Sequence, residues 1–307
     1  MTLVITACTN RKRKPVSDSL HMAALPEADL SNLADDWARR LARERARFRG
    51  DEIYGGRSFR EAIAAARLLD ARLMVVSAGL GLIDAEASVP PYACTVLIGA
   101  PDSISARIIG EFDSAAWWRK LNQASPFAVA LHDVASRNDG LICAALSEAY
   151  IDMIAADLLS LPRTVLARLR LFTRAPADQI PATLRDFLMP YDDRLDGPDS
   201  SNRGTRSDFA GRALRHFAEV IADNVDARDA HAHAEAVSHA LEGWRLPTQF
   251  ARTRHDDAAL LDLIRANWDA EGGSSSRLLR RFRDDLGIAC EQGRFAQLAR
   301  IVRGERA

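Results

Sequence analysis

Hydrophobic positions along the chain follow two periods. Five short apolar runs, residues 3–7, 72–77, 127–131, 141–146 and 165–172, have the length and composition of buried strands. Between several of them the apolar positions recur at helical spacing. Residues 32–48 form a long, charged amphipathic stretch, residues 58–69 set Phe59, Ile63 and Ala66 on one stripe, and residues 103–123 form a third. Ser147 stands where an N-cap belongs, ahead of a helix over 148–159. This alternation predicts an α/β fold in which a mostly parallel sheet is covered by helices on both faces.

The α/β domain is expected to span residues 1–195. The segment MPYDDRLDGPDSSNRGTRSD then reads as an exposed connector, and Ser207 or Asp208 is placed to cap a helix running to about Ala222. Residues 196–250 are therefore a connector with a helical extension. Residues 251–307 are expected to form a C-terminal all-helical module, with helices over 256–268, 274–285 and 292–302.

Composition changes this picture little. The chain has 307 residues, 48% of them hydrophobic, enough for one large core or two modest ones. Its 41 Lys and Arg nearly cancel its 42 Asp and Glu, so a nucleic-acid surface has to come from local clustering. Cys8, Cys94, Cys143 and Cys290 are scattered, with no C-x-x-C pair, so neither a disulfide framework nor a metal site is expected. No apolar stretch approaches the roughly 20 residues that span a bilayer. The first apolar run precedes its charges, the reverse of a signal peptide, and the expected location is the cytoplasm with no membrane partner.

In parallel sheets, ligands sit beyond the carboxyl ends of the strands. That rule selects Cys8, Thr9, Asn10 and Arg11 after the first run, Ser77 to Asp84 after the second, His132 and Asp133 after the third, and Ser147 after the fourth. Asp84 follows a glycine-containing turn and precedes Pro90, Pro91 and Tyr92, which stiffen the loop. It is a candidate catalytic carboxylate; the alternative is that it caps a turn. His132 with Asp133 is a candidate acid–base pair or a structural strand end. Arg11, Lys12, Arg13 and Lys14 are a solvated run or a set of phosphate contacts. Tyr54-Gly55-Gly56-Arg57 resembles a phosphate-cradling turn but lacks the full nucleotide-binding pattern.

In the C-terminal module Arg277, Arg280 and Arg281 are three and four residues apart, on one helix face, with Leu278, Leu279 and Phe282 opposite and Arg294 beyond. An Arg face on a helix with a Ser-rich N-terminus suits a phosphate backbone. Solvated intramolecular salt bridges are the alternative.

The motifs ITACTNRK, YGGRSF, VVSAGLGLIDAEASVPPYACT and RGTRSDFAGRALRHF resemble those of a group of phage and bacterial proteins. That group is related to the peroxide-stress protein YaaA and to the uracil-glycosylase-like domain of archaeosine synthase. The Cys-containing strand end with basic residues stands at 7–12, and the pattern S-A-x-x-G-L-[IL]-D followed by P-P-Y stands at 77–92. The tail SSSRLLRRFRDDLGIACEQGRFAQL resembles a DNA-binding module found at the end of some members. The resemblance implies a three-layer, uracil-DNA-glycosylase-like fold and a link to modified-base metabolism. The expected activity is that of a DNA N-glycosylase releasing a modified or noncanonical base, after extruding the nucleotide, with DNA as partner and no cofactor. A role in restricting phages with modified DNA fits the same resemblance. Asp84 and His132 would be catalytic; Cys8, Asn10, Tyr54, Ser77 and Tyr92 would bind substrate, with Tyr54 or Tyr92 stacking on the base; Arg11, Arg13, Arg206, Arg277, Arg280, Arg281 and Arg294 would bind DNA. The alternatives are a non-catalytic DNA-binding stress-response protein and a base-exchanging ribosyltransferase of deazaguanine metabolism.

Overall fold

In the computed structural model, which describes residues 1–222, 229–248 and 252–306, the chain divides into two units, Met1–Pro247 and Thr248–Ala307. The first is built on five strands: β1 (Thr2–Ala7), β2 (Ala71–Ser77), β3 (Gly81–Asp84), β4 (Ile142–Ala145) and β5 (Leu169–Phe172). Across the sheet they run β3-β2-β1-β4-β5. β1 pairs parallel with β2 and with β4, β4 pairs parallel with β5, and β3 alone runs antiparallel, against β2.

Among the described residues, the helices of six residues or more in this unit are α1 (Leu30–Arg43), α2 (Arg57–Leu68), α3 (Ser114–Ala124), α4 (Leu131–Ser136), α5 (Glu148–Leu159), α6 (Phe209–Val220) and α7 (Ala230–Ala240). Strand side chains alternate between two cores. Leu3, Ile5, Ile142 and Ala144 share one with Trp37, Trp117 and Ile154 from α1, α3 and α5. Val4, Cys143 and Ala145 share the other with Ala62 and Ala66 of α2 and Phe217 of α6. The result is a three-layer α/β arrangement with a mostly parallel central sheet. Each large apolar side chain so buried contributes about 1.5–3 kcal/mol.

Several boundaries differ from the sequence expectation. Residues 127–130 form no strand; Val129 N–H donates to Leu82 O (2.8 Å) along the outer edge of β3, and α4 starts at Leu131. The fifth strand is instead β3, reached through Gly81 at φ 84°, a left-handed conformation that favours glycine. The run 165–172 is split between a helical turn, Arg163–Leu166, and β5. The stretch 103–123 divides into the turn Ile104–Arg107 and α3, with Gly110 at φ 105° between them.

The expected exposed connector is not a free linker. Arg212 of α6 is fully buried and donates to Asp208 (2.5 Å), to Asp196 (2.8 Å) and to the carbonyls of Asn202 (2.8 Å) and Thr205 (2.9 Å). Residues 196–247 therefore belong to the first unit rather than to a separate segment, and α6 packs on α2. Thr205 and Asp208 form a capping box on the turn Arg206–Asp208 that leads into α6; Asp208 stands at the N-cap of α6 as expected but makes no side-chain bond to that helix. The expected 250/251 boundary lies outside the described residues.

The second unit contains α8 (Asp257–Asn267), α9 (Ser275–Asp284) and α10 (Gln292–Glu305) around Leu260, Leu278, Phe282 and Phe295. It is not entirely helical: Thr253–Arg254 pairs in parallel with Ile288–Ala289. Among the described residues, no helix is long and apolar enough to cross a membrane.

Candidate functional site

β1 lies at the centre of the sheet, and the chain proceeds from it first to β2 on one side and later to β4 on the other. The carboxyl ends of β1 and β4 therefore flank a topological switch point, where helices depart to opposite faces and leave a crevice. A cavity of about 430 Å³ occupies this place. Its walls are Ala7 to Thr9 after β1, Ala145 to Glu148 and Tyr150 at the start of α5, Thr173 to Pro176 after β5, and Ser58, Arg206 and Ser207.

The loop after β1 is stitched to the segment before α2. Arg13 N–H donates to Ile53 O and Gly55 N–H to Arg11 O, both at 2.8 Å, and Thr9 Oγ1 donates to Gly55 O at 2.7 Å. A side chain at Gly55 would meet Arg13 Cγ at 3.2 Å and Arg11 Cγ at 3.3 Å. Glycine there lets both stems pass, and the Arg11, Arg13 and Asn10 side chains stay exposed on the loop.

Beneath the loop is a buried polar network. Cys8 Sγ is 3.1 Å from Tyr150 Oη and accepts Ala78 N–H at 3.4 Å. Tyr92 Oη is 2.5 Å from Ser77 Oγ and 3.2 Å from Tyr54 Oη. Burial pushes the Tyr54, Tyr92 and Tyr150 phenols well above their ordinary pKa, so they remain protonated donors. Two indole N–H groups fix the loop after β2: Trp37 donates to Gly79 O at 2.7 Å and Trp117 to Ala78 O at 2.9 Å. A methyl on Gly79 would lie 2.5 Å from the Tyr92 ring, so that loop and ring need each other's shape.

The structure thus separates the expected site residues. Cys8 lines the cavity and Asn10 lies on the adjoining loop. Tyr54, Ser77 and Tyr92 are buried, and the two rings meet edge-on at 6.4 Å, so neither presents a face on which a base stacks. They support the site from below.

Asp84 is not at this rim. Because β3 runs back along β2, Asp84 sits opposite Met74 and pairs with Arg72 at 2.6 Å. Its surroundings, Met1, Ala71 and Arg72, mark the amino end of the sheet, the opposite end from Asn10. His132, expected at a strand end, lies in the first turn of α4, exposed and 3.6 Å from Asp133. It lines a separate crevice with Trp118, Asn122 and Asp157.

The carboxylate on the cavity wall is Glu148, in the first turn of α5, whose two oxygens lie 3.1 and 3.2 Å from the Gln179 amide nitrogen when that amide is turned to donate. Sequence reasoning named Ser147 and stopped one residue short. The Ser147 hydroxyl makes no capping bond to the helix. Arg206 is exposed at the cavity and, among the described residues, has no ion-pair partner, whereas Arg174 on the same wall is held by Asp193 (2.6 Å) and Asp196 (3.6 Å). Asp208, a further candidate carboxylate, is committed to its capping box and to Arg212.

In the second unit the expected Arg face is only partly available. Arg281 pairs with Glu271 at 3.2 Å and Arg294 with Asp257 at 2.6 Å, whereas Arg277 and Arg280 are exposed without ion pairs among the described residues. Arg280 opens onto a groove of about 440 Å³ shared with Arg252, Arg283, Ser275 and Gln292. An adjoining groove of similar size adds Arg254 and Arg294. Asp284, which pairs with Arg252 at 3.5 Å, and Glu291 are the acids on these walls, so basic side chains outnumber acidic ones along both grooves.

Among the described residues no group of His, Cys, Asp and Glu is arranged to hold a metal ion. Compared with protein-family models, with curated proteins and with solved structures, the chain matches none.

Proposed function

We propose that the first unit is a DNA N-glycosylase, or a close relative, that takes one extruded nucleotide into the switch-point cavity and releases a modified or noncanonical base. The observation that carries this reading is the cavity itself: about 430 Å³, lined by buried Cys8, by Glu148 and by exposed Arg206, which has no ion-pair partner among the described residues. That volume falls in the range of small-molecule pockets, roughly 300–1,000 Å³. A base has to leave the duplex before its glycosidic bond is reachable, and a guanidinium at the mouth suits the flanking phosphate. The resemblance of the strand-end motifs to the YaaA and archaeosine-synthase group leads to the same reading and to a uracil-DNA-glycosylase-like fold.

Glu148 takes the role first expected of Asp84. Cleavage of an N-glycosidic bond builds positive charge on the sugar; an ionised carboxylate beside it lowers the barrier and orients the attacking water. The test is incubation with DNAs carrying different base modifications, followed by mass spectrometry of free bases and abasic sites. Glu148→Gln keeps the amide contact and removes the charge, so base release is expected to fall roughly a hundredfold or more. Glu148 is exposed, and the melting temperature is expected to stay unchanged. Normal release by this variant overturns the role of Glu148; no release from any of the DNAs overturns the reading.

The second unit supplies DNA affinity in this reading. Replacing Arg280 and Arg283 together by Ala is expected to weaken DNA binding and to reduce the slope of log K against log salt by about 1–2, because each lost phosphate contact releases roughly one counterion fewer. Titration at three salt concentrations measures it, and an unchanged slope shows that these grooves do not touch phosphates.

A further inference from the structure

Of the chain's 41 basic side chains, only Lys12, Lys14 and Lys120 are lysines. Lys120 is exposed and Lys14 pairs with Glu52 at 3.2 Å. Lys12 differs from both. Its ammonium stands over the Tyr92 ring (4.5 Å to the centroid) and the Tyr54 ring (5.2 Å), and it donates to Thr9 O. Among the described residues no carboxylate lies within ion-pair distance of it. A mostly enclosed lysine without a carboxylate is uncommon in a structural role, because burial disfavours the charged form. An arginine stays charged there; a lysine is able to give up its proton and become a nucleophile. Thr9, which holds the amine, is itself a wall of the switch-point cavity, and Cys8 on the cavity floor is four residues before Lys12.

We infer that Lys12 is an amine nucleophile that captures an aldehyde carbon in the switch-point cavity, the ligand class being the ring-opened sugar of an abasic deoxyribonucleotide. This rests on the glycosylase reading, whose product is that sugar. The unprotonated Nζ leaves Thr9 O and adds to C1′; the carbonyl oxygen departs as water, taking the two amine protons; and a C=N bond to Lys12 remains. Burial lowers the Lys12 pKa, while the nearby Cys8, Cys94 and Asp102 act to raise it, and the net direction favours the free amine.

The test is reductive trapping. The full chain is mixed with a duplex carrying one abasic site made beforehand, so the result does not depend on the protein's own base release, and borohydride is added. The expected result is a covalent protein–DNA adduct whose peptide map places the mass on Lys12. Lys12→Arg, which keeps a long basic side chain over the two rings but lacks a nucleophilic amine, is expected to lose the adduct with an unchanged melting temperature, and Lys14→Arg to retain it. Absence of an adduct, or an adduct on the Met1 amine, Lys14 or Lys120, overturns the inference. If Lys12→Arg fails to fold, the map of the wild-type adduct decides alone. An adduct at Lys12 without base release removes the glycosylase reading and leaves the amine; base release without an adduct does the reverse.

Discussion

Arg212→Leu is expected to destabilise the first unit by about 3–5 kcal/mol, the cost of breaking a buried ion pair from one side. The guanidinium is fully buried and feeds two carboxylates, Asp208 at 2.5 Å and Asp196 at 2.8 Å, and the carbonyls of Asn202 and Thr205. Leucine fills part of the space and satisfies none of these acceptors. At roughly 2–4 °C per kcal/mol for a unit of this size, the melting temperature falls by about 6–20 °C. The pH dependence follows the same pair. Burial alone raises the Asp208 pKa, but the Thr205 N–H, Arg212 and the Thr205 hydroxyl outweigh it and hold the carboxyl below its ordinary value. A folded pKa below the unfolded one means that this stabilisation is complete above the ordinary carboxylate range and is lost as pH falls through the lowered pKa. Urea unfolding of both proteins at neutral and acid pH measures it. A loss under about 1 kcal/mol would show that the surrounding groups find other partners.

Trp37→Ala carries a comparable penalty, about 3–5 kcal/mol, for the cavity left by a fully buried indole. It also strips Gly79 O of its donor and Tyr92 of its edge-on neighbour at 6.4 Å. Trp37→Phe separates the two effects. It keeps most of the volume and removes the N–H, and the expected cost is about 1–3 kcal/mol for one orphaned carbonyl. Because Gly79 belongs to the loop that holds Ser77 and Ala78 under Cys8, the Ala variant is also expected to lose the near-ultraviolet circular dichroism of the tyrosine cluster. Equal stability of the Ala and Phe variants would show that packing at Trp37 contributes little.

Some of this architecture was legible from the residues. β1, β4 and the second half of β2 are enclosed on both faces, so they read as short apolar runs, and α5 runs from Glu148 to Leu159 as expected behind Ser147. β3 was not. Four residues after a glycine reversal leave no periodicity to read, and the apolar run at 127–131 looks more like a strand than GLID does. That one reversal also misplaced Asp84. Counting along the chain puts it beyond the carboxyl end of β2, whereas the antiparallel return carries it down to the level of Met74. Tyr54 and Tyr92 were found as motif residues, but only tertiary packing reveals that their rings are enclosed. Lys12 was hidden inside a basic run; the scarcity of lysine in an arginine-rich chain was the signal that could have singled it out.

The two margins of the central sheet have a bearing on self-association. On the β3 side, Leu82 O accepts Val129 N–H at 2.8 Å and Leu82 N–H donates to Asn122 Oδ1 at 3.1 Å. On the β5 side, Leu171 N–H donates to Phe187 O at 2.8 Å and Leu171 O accepts Met189 N–H at 2.9 Å. Short irregular segments, with the Asn122 side chain of α3, thus occupy the backbone groups that a neighbouring molecule would need to extend the ladder. Sheets with open margins are templates for runaway pairing between copies, and natural proteins suppress it by covering or shortening those margins. Here both margins are covered by the chain itself, so copies brought close together at high concentration meet no open strand to share.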